Sequence, residues 1–387
     1  MKPNQDPSKK QATAALYYAM FAMIISFTVW ASISPMASSI QEIYQLSGTQ
    51  KSVLVAIPVL LGSIMRIPLG VITDRYGGRK VFTSLLLFLL IPTIGIGFAN
   101  SFTGMIFWAF FIGMAGTSFA IAISYVSKFY PPEKQGLILG IVGMGNFGTA
   151  VAGFSIPSLV NNFGISNTFW ILAVVVALTA VIFWFGTVEM PKPKQSKTAR
   201  QALAVLKYRN VWILSLFYFA TFGSFVAFSI YLPTLLRDLF DLTAVDAGLK
   251  AAGFVVVATL SRPLGGYLAD RYTSGKVLNI VFLGITLGAL LLAFQTYNFI
   301  LFTIAALSIA FFAGMGNGAI FKIVPQLFPN ETGVVTGVVG AFGGIGGFFP
   351  PIIMGITADL TGEYALGFIL LAMVTLTNLI INRKKFN

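Results

Sequence analysis

Two arginines mark where this chain can do chemistry. Arg66 opens the run Arg66-x7-Asp74-Arg75-Tyr76, and Arg262 opens Arg262-x7-Asp270-Arg271-Tyr272, an offset of 196 residues. Both stand in otherwise apolar helical stretches. At about 1.5 Å per residue, eight residues lift each guanidinium roughly 12 Å above the charged loop, toward the middle of an apolar layer ~30 Å thick. An arginine there costs at least about 2.5–3.5 kcal/mol unless something compensates it. A carboxylate is the obvious partner, but the chain's 12 acids all fall near span ends. Asp6, Asp74, Glu133, Glu189, Asp270 and Glu331 lie toward one side, and Glu42, Asp238, Asp241, Asp246, Asp359 and Glu363 toward the other. Backbone carbonyls, water and tyrosine hydroxyls solvate a guanidinium without neutralising it, whereas a bound anion does both. One arginine can snorkel to an interface; two at matching depths in duplicated helices argue for an anion site. A guanidinium is a planar fork that donates two parallel hydrogen bonds to two oxygens of an anion.

The elements that hold these arginines follow from composition. Of 387 residues 57% are hydrophobic and only 10% charged, too few charges to cover a soluble protein of this size. With no His and no Cys, the usual zinc, haem and thiol chemistry is excluded, and no metal set or nucleophile dyad points to an enzyme or to a cofactor. Cutting at charges, Pro, Asn and Gly clusters predicts twelve spans: 14–40, 53–73, 81–99, 104–127, 136–159, 168–188, 211–233, 248–269, 277–296, 300–324, 333–357 and 364–381. Their uniform hydrophobicity predicts helices, since barrel strands alternate. With both termini cytoplasmic, 20 Lys and Arg fall inside and only Lys51, Arg237 and Lys250 outside. That asymmetry explains the +13 net charge without a nucleic-acid partner and predicts a multi-pass protein of the cell membrane, in contact with lipid. The first apolar stretch is too long for a signal peptide and is read as a retained anchor. Lys128 and Lys322, near cytoplasmic ends, read as snorkelling anchors. The polar interruption from Glu189 to Arg209 divides the chain into an N-terminal six-helix bundle at 1–188, a cytoplasmic linker at 189–210 and a C-terminal six-helix bundle at 211–387.

The two halves repeat. Gly70 and Lys80 recur as Gly266 and Lys276; Phe110-Phe111-x-Gly113-Met114 recurs as Phe311-Phe312-x-Gly314-Met315; Gly136-x3-Gly140-x2-Gly143 recurs as Gly333-x3-Gly337-x2-Gly340. Duplicated halves are a layout of secondary transporters, with substrate held at mid-depth. Small residues in spans four, five, ten and eleven allow close helix approach and predict a narrow path that excludes large organic anions. The run Gly143-Met144-Gly145-Asn146-Phe147-Gly148 matches a dinucleotide pattern, but no strand precedes it and no acid follows at the required distance, so it reads as helix packing. Asn146 is the exception, because a buried amide needs partners and its NH2 can serve an anion oxygen.

The first cytoplasmic loop, Gly70-x3-Asp74-Arg75-x-Gly77-x-Arg79-Lys80, resembles the loop signature of the major facilitator superfamily, whose acid and bases join helix ends during the conformational cycle. The second-half loop, Asp270 to Lys276, lacks the second Gly and the Arg, which leaves its role less defined. Within that superfamily, Gly143 to Gly148 and the run Gly340-Ala341-Phe342-Gly343-Gly344-Ile345-Gly346-Gly347 are similar to the paired glycine-rich signatures of the nitrate/nitrite porter family. The resemblance covers essentially the whole chain and implies the twelve-helix major facilitator fold, nitrate or nitrite as cargo and action as a monomer. It also implies substrate roles for Arg66, Arg262, Asn146, Gly145 and Gly344. Tyr218 becomes a hydroxyl donor, Phe222 an aromatic wall, and Phe119 or Phe312 the opposite wall. Ser118 stands where the family pattern leads one to expect asparagine. Alternating access is the expected mechanism. Exchange of nitrate for nitrite is favoured over proton-coupled uptake, since no acid or histidine lies at mid-depth; a transporter for another small anion is the alternative.

Overall fold

The computed structural model describes residues 8–46, 48–190, 203–295, 297–361 and 363–386. Most of the expected linker, residues 191–202, lies outside them. In chain order the longer helices are α1 (Lys9–Ala31), α2 (Ile33–Tyr44), α3 (Gly48–Ile64), α4 (Arg66–Tyr76), α5 (Gly78–Gly97), α6 (Phe102–Ile112), α7 (Ser118–Ser127), α8 (Gln135–Gly143) and α9 (Gly148–Gly186). They continue as α10 (Arg209–Phe240), α11 (Ala244–Arg271), α12 (Ser274–Phe294), α13 (Phe299–Leu327), α14 (Thr332–Thr361) and α15 (Ala365–Lys385). Helix is the expected answer to lipid, where each backbone N–H and C=O must be satisfied inside its own segment.

Among the described residues, eleven stretches are long and apolar enough to cross a membrane. The fifth, Pro132–Gly186, is 55 residues long, more than twice the roughly 20 that one crossing needs. Its helix breaks at Gly164, whose φ of 78° only glycine adopts readily, and the break separates the two predicted spans 136–159 and 168–188, which makes twelve crossings among the described residues. Apolar side chains such as Ile91, Leu287 and Phe185, the last 80% exposed, face outward, as lipid contact requires.

Local breaks fall at Arg66 and around Asn146. Pro68 has no N–H for the Ile64 carbonyl, and the second span breaks there into α3 and α4, which makes Arg66 the first residue of α4. Spans four and five tighten into 3-10 turns at Gly113–Thr117 and Met144–Phe147. Their repeats in α13 and α14 stay continuous.

Two compact units result. The first comprises Met1–Pro132, Ile141–Tyr208 and Val324–Ala341; the second comprises Glu133–Gly140, Arg209–Ile323 and Phe342–Asn387. Each unit therefore draws one helical segment from the other sequence half. In the first, Gly333 and Gly337 of α14 lie against the backbone of Gly70 and Arg66. In the second, Gly136 and Gly140 of α8 lie against the backbone of Gly266 and Arg262. The duplicated glycine spacing is thus a set of matched close approaches, with no room for a Cβ at either end. Within the second unit, Gly318 of α13 rests on the Arg262 carbonyl in the same way. Replacing Gly318 with Val is expected to cost about 1–3 kcal/mol or more through overpacking. A lowered unfolding temperature of the detergent-purified protein is the check.

Candidate functional site

In the first unit Arg66 is only 1% exposed. Its Nε donates to the Gly116 carbonyl at 3.0 Å and its Nη1 to the Gly340 carbonyl at 2.6 Å. The 3-10 turn Gly113–Thr117 brings the first acceptor to it, and α14 brings the second. A Cβ on Gly340 would sit 3.1 Å from Arg66 Cδ, so glycine there lets the carbonyl come so near. Buried Phe119 lies with its ring centroid 5.7 Å from the guanidinium carbon. Asn146 is fully buried in the 3-10 turn of the fifth span. Gly145 packs on Met23 of α1, so the structure gives it a helix-contact role.

In the second unit Arg262 is 2% exposed. Its guanidinium carbon lies 5.6 Å from the Phe222 ring centroid and 5.8 Å from that of Phe225. The Tyr218 hydroxyl lies beside it. Tyr218 stacks on Phe222 at 4.9 Å with an interplanar angle of 5°, and Phe321 meets Tyr218 edge-on at 4.7 Å and 86°. Helical spacing puts Tyr218, Phe222 and Phe225 on one face of α10. Gly343 leaves room for the Tyr218 ring and the Phe222 Cβ.

Several expected residues sit elsewhere. Phe312 turns to Gly284 of α12, and the tenth-span ring at Tyr218 is Phe321. The glycine that the aromatic pair rests on is Gly343, while Gly344 is buried one position on. Phe225 stands three residues past Phe222, one helical turn on, and that helical spacing was the signal for it. Phe321 had no comparable signal.

The loop signature resolves into three jobs. Asp74 accepts the backbone N–H groups of Gly333 at 3.1 Å and Val334 at 3.0 Å, and the Ser124 hydroxyl at 2.9 Å. It thereby caps the N-terminus of α14, where unpaired N–H groups and the helix dipole favour an anion. Gly70 supplies the close approach to Gly333 just described. Gly77, at φ 96°, turns the chain so that the N–H groups of Arg79 and Lys80 meet the Glu189 carboxylate, at 3.0 and 3.4 Å. Arg79 also donates to the Trp184 carbonyl from Nε at 3.1 Å and Nη2 at 2.5 Å, stacking 4.2 Å over that residue's ring. Arg75 is exposed over Tyr76.

The second-half loop does the same work with fewer signature residues. Asp270 accepts the N–H groups of Gly136 at 3.1 Å and Leu137 at 2.7 Å, at the start of α8. It also pairs with Lys322 of α13, whose side chain is 7% exposed. Lys322 is therefore a buried ion-pair partner, which corrects its reading as a snorkelling anchor. An anion that caps a buried helix start leaves a cation beside it little reason to seek the interface.

Comparison with known proteins agrees with this architecture. The family model described as "Major Facilitator Superfamily" matches residues 19–256 and 239–385. The "Nitrite extrusion protein" of Bacillus subtilis (strain 168) is 42% identical over 361 residues, covering 93% of this chain and 91% of that protein. The "Probable nitrate transporter NarT" of Staphylococcus carnosus (strain TM300) is 38% identical over 367 residues, covering 95% and 94%. Among solved structures, the human organic anion transporter MFSD10 (TETRAN) superposes with a TM-score of 0.76 at 14% identity, covering 98% of this chain and 100% of that one, a likeness of fold. Matched along nearly its whole length by both model and relatives, the chain belongs to the Major Facilitator Superfamily, in its nitrate/nitrite porter family.

Proposed function

We propose that this multi-pass membrane protein carries nitrate and nitrite across the cell membrane by alternating access, with Arg66 and Arg262 as the anion's ligands. The observation that carries the reading is the pair of buried arginines at duplicated positions, each held by groups that orient a guanidinium without discharging it. Carbonyls hold Arg66 and aromatic faces hold Arg262, and both arrangements suit a small flat monovalent oxyanion. The names of the relatives, a nitrite extrusion protein and a probable nitrate transporter, support that choice of cargo. Tyr218 is the hydroxyl donor, Phe222 and Phe119 are the walls, and the termini face the cytoplasm.

Exchange is the mode this chemistry favours. The chain has no histidine, its carboxylates fall near span ends, and a proton relay at mid-depth normally uses such groups. Two fixed cations that must be neutralised before the carrier turns round tie each half-cycle to a bound anion. Counterflow in proteoliposomes tests this. External labelled nitrate is expected to enter vesicles loaded with nitrite, to enter empty vesicles poorly, and to respond little to an imposed pH gradient. Uptake into empty vesicles driven by that gradient would establish proton coupling instead.

A further inference from the structure

Among the described residues, some buried polar side chains without a hydrogen-bond partner stand on the helices that carry the two arginines or on helices packed against them. In the second unit they include the hydroxyl of Thr259 and both the nitrogen and the oxygen of the Asn317 amide. Asn317 is 2% exposed and Thr259 0%. A helical hydroxyl in this protein ordinarily bonds to the carbonyl four residues back, as Ser26, Thr73, Thr221 and Thr286 do. That of Thr259 does not. Pro263 has no N–H to give the Thr259 carbonyl, so backbone polarity is added at the same turn.

The packing of α11 on α13 fixes where these groups lie. Gly314 meets Ala258 and Ser261, and Gly318 meets Arg262 and Gly266, so the two helices run in the same direction past each other. At about 100° per residue, Thr259 and Asn317 then fall on the same flank of that contact, the flank that carries Arg262 and Phe321. In the first unit, Ser118 lies two residues past Gly116, and Thr336 lies four before Gly340; their hydroxyls are likewise unpartnered. Those glycines supply the two carbonyls that hold Arg66.

A buried amide with neither atom satisfied costs free energy, and a ligand repays it. We infer that Asn317 and Thr259 form, with Arg262, a polar station that binds a small oxyanion together with one water molecule. The Asn317 NH2 and the Thr259 hydroxyl donate to the anion's oxygens. The Asn317 carbonyl oxygen accepts a hydrogen bond from the water, which an anion without hydrogens cannot donate. The inference rests on the transport reading above and adds two residues that set affinity.

The test uses the full chain in proteoliposomes. Asn317→Leu keeps the side-chain size and removes the polar atoms; Thr259→Val is isosteric. For Asn317→Leu, KM for nitrate and nitrite is expected to rise about tenfold, with kcat within about twofold of wild type. The unfolding temperature should be unchanged or higher. For Thr259→Val, KM should rise about threefold, and Asn317→Ser should recover part of the loss. An unchanged KM in both variants overturns the station. Should Asn317→Leu fail to fold, an unchanged KM in Thr259→Val does so alone. Absence of nitrate and nitrite flux in the wild-type protein sinks the transport reading and the station with it, whereas wild-type flux with unaltered variants sinks only the station.

Discussion

Replacing either Arg66 or Arg262 with lysine is expected to reduce nitrate and nitrite transport on the order of 100-fold while leaving a folded protein. Lysine keeps the positive charge, so a loss of transport isolates geometry from electrostatics. The Arg66 guanidinium donates from Nε to Gly116 and from Nη1 to Gly340, two carbonyls on different helices. A single ammonium nitrogen cannot bridge both and still present a flat edge to an oxyanion. At Arg262 the planar cation lies over the Phe222 and Phe225 rings, a stacking that a compact, strongly hydrated ammonium reproduces poorly. One charged bidentate contact is worth roughly 2–3 kcal/mol, which converts to about that fold-change. The check is counterflow with each variant, beside size-exclusion and thermal-unfolding profiles that establish folding. Retained flux in both variants would remove the arginines from the proposed site.

Much of this was written in the sequence, for a physical reason. A charge in an apolar run is conspicuous, and its recurrence at a fixed offset ties two distant helices to one role. The Gly-x3-Gly spacing was legible too, since it marks a helix face, and in the structure those faces are the close approaches at Arg66 and Arg262. Rotation within lipid was not legible. Phe312 and Phe321 both stand in a helix with apolar residues round its whole circumference, so hydropathy gives no sign that one faces Gly284 and the other Tyr218. The same uniformity hid Gly343 behind its neighbour Gly344. Asp270 was undervalued because its loop lacks the signature's Gly and Arg. Yet capping a helix start needs only a carboxylate at the right depth, and Asp270 has the same register as Asp74.

That shared register with different surroundings sets the second large effect. Asp74 caps α14 with help from a neutral hydroxyl, Ser124. Asp270 caps α8 and also neutralises Lys322, with side chains 12% and 7% exposed respectively. Asp74→Asn is therefore expected to cost the value of an anionic cap, about 0.5–2 kcal/mol. Asp270→Asn also strands a buried ammonium, and removing one member of a buried pair costs about 3–5 kcal/mol. Lys322→Met alone should cost less than Asp270→Asn, because the remaining carboxylate still accepts two backbone N–H groups. The double variant Asp270→Asn with Lys322→Met should then be more stable than Asp270→Asn alone, since no stranded charge remains. Thermal unfolding of the four proteins in one detergent closes the cycle. Strictly additive losses would mean that Lys322 and Asp270 act independently, and the helix cap alone would then have to explain why an acid stands at this position.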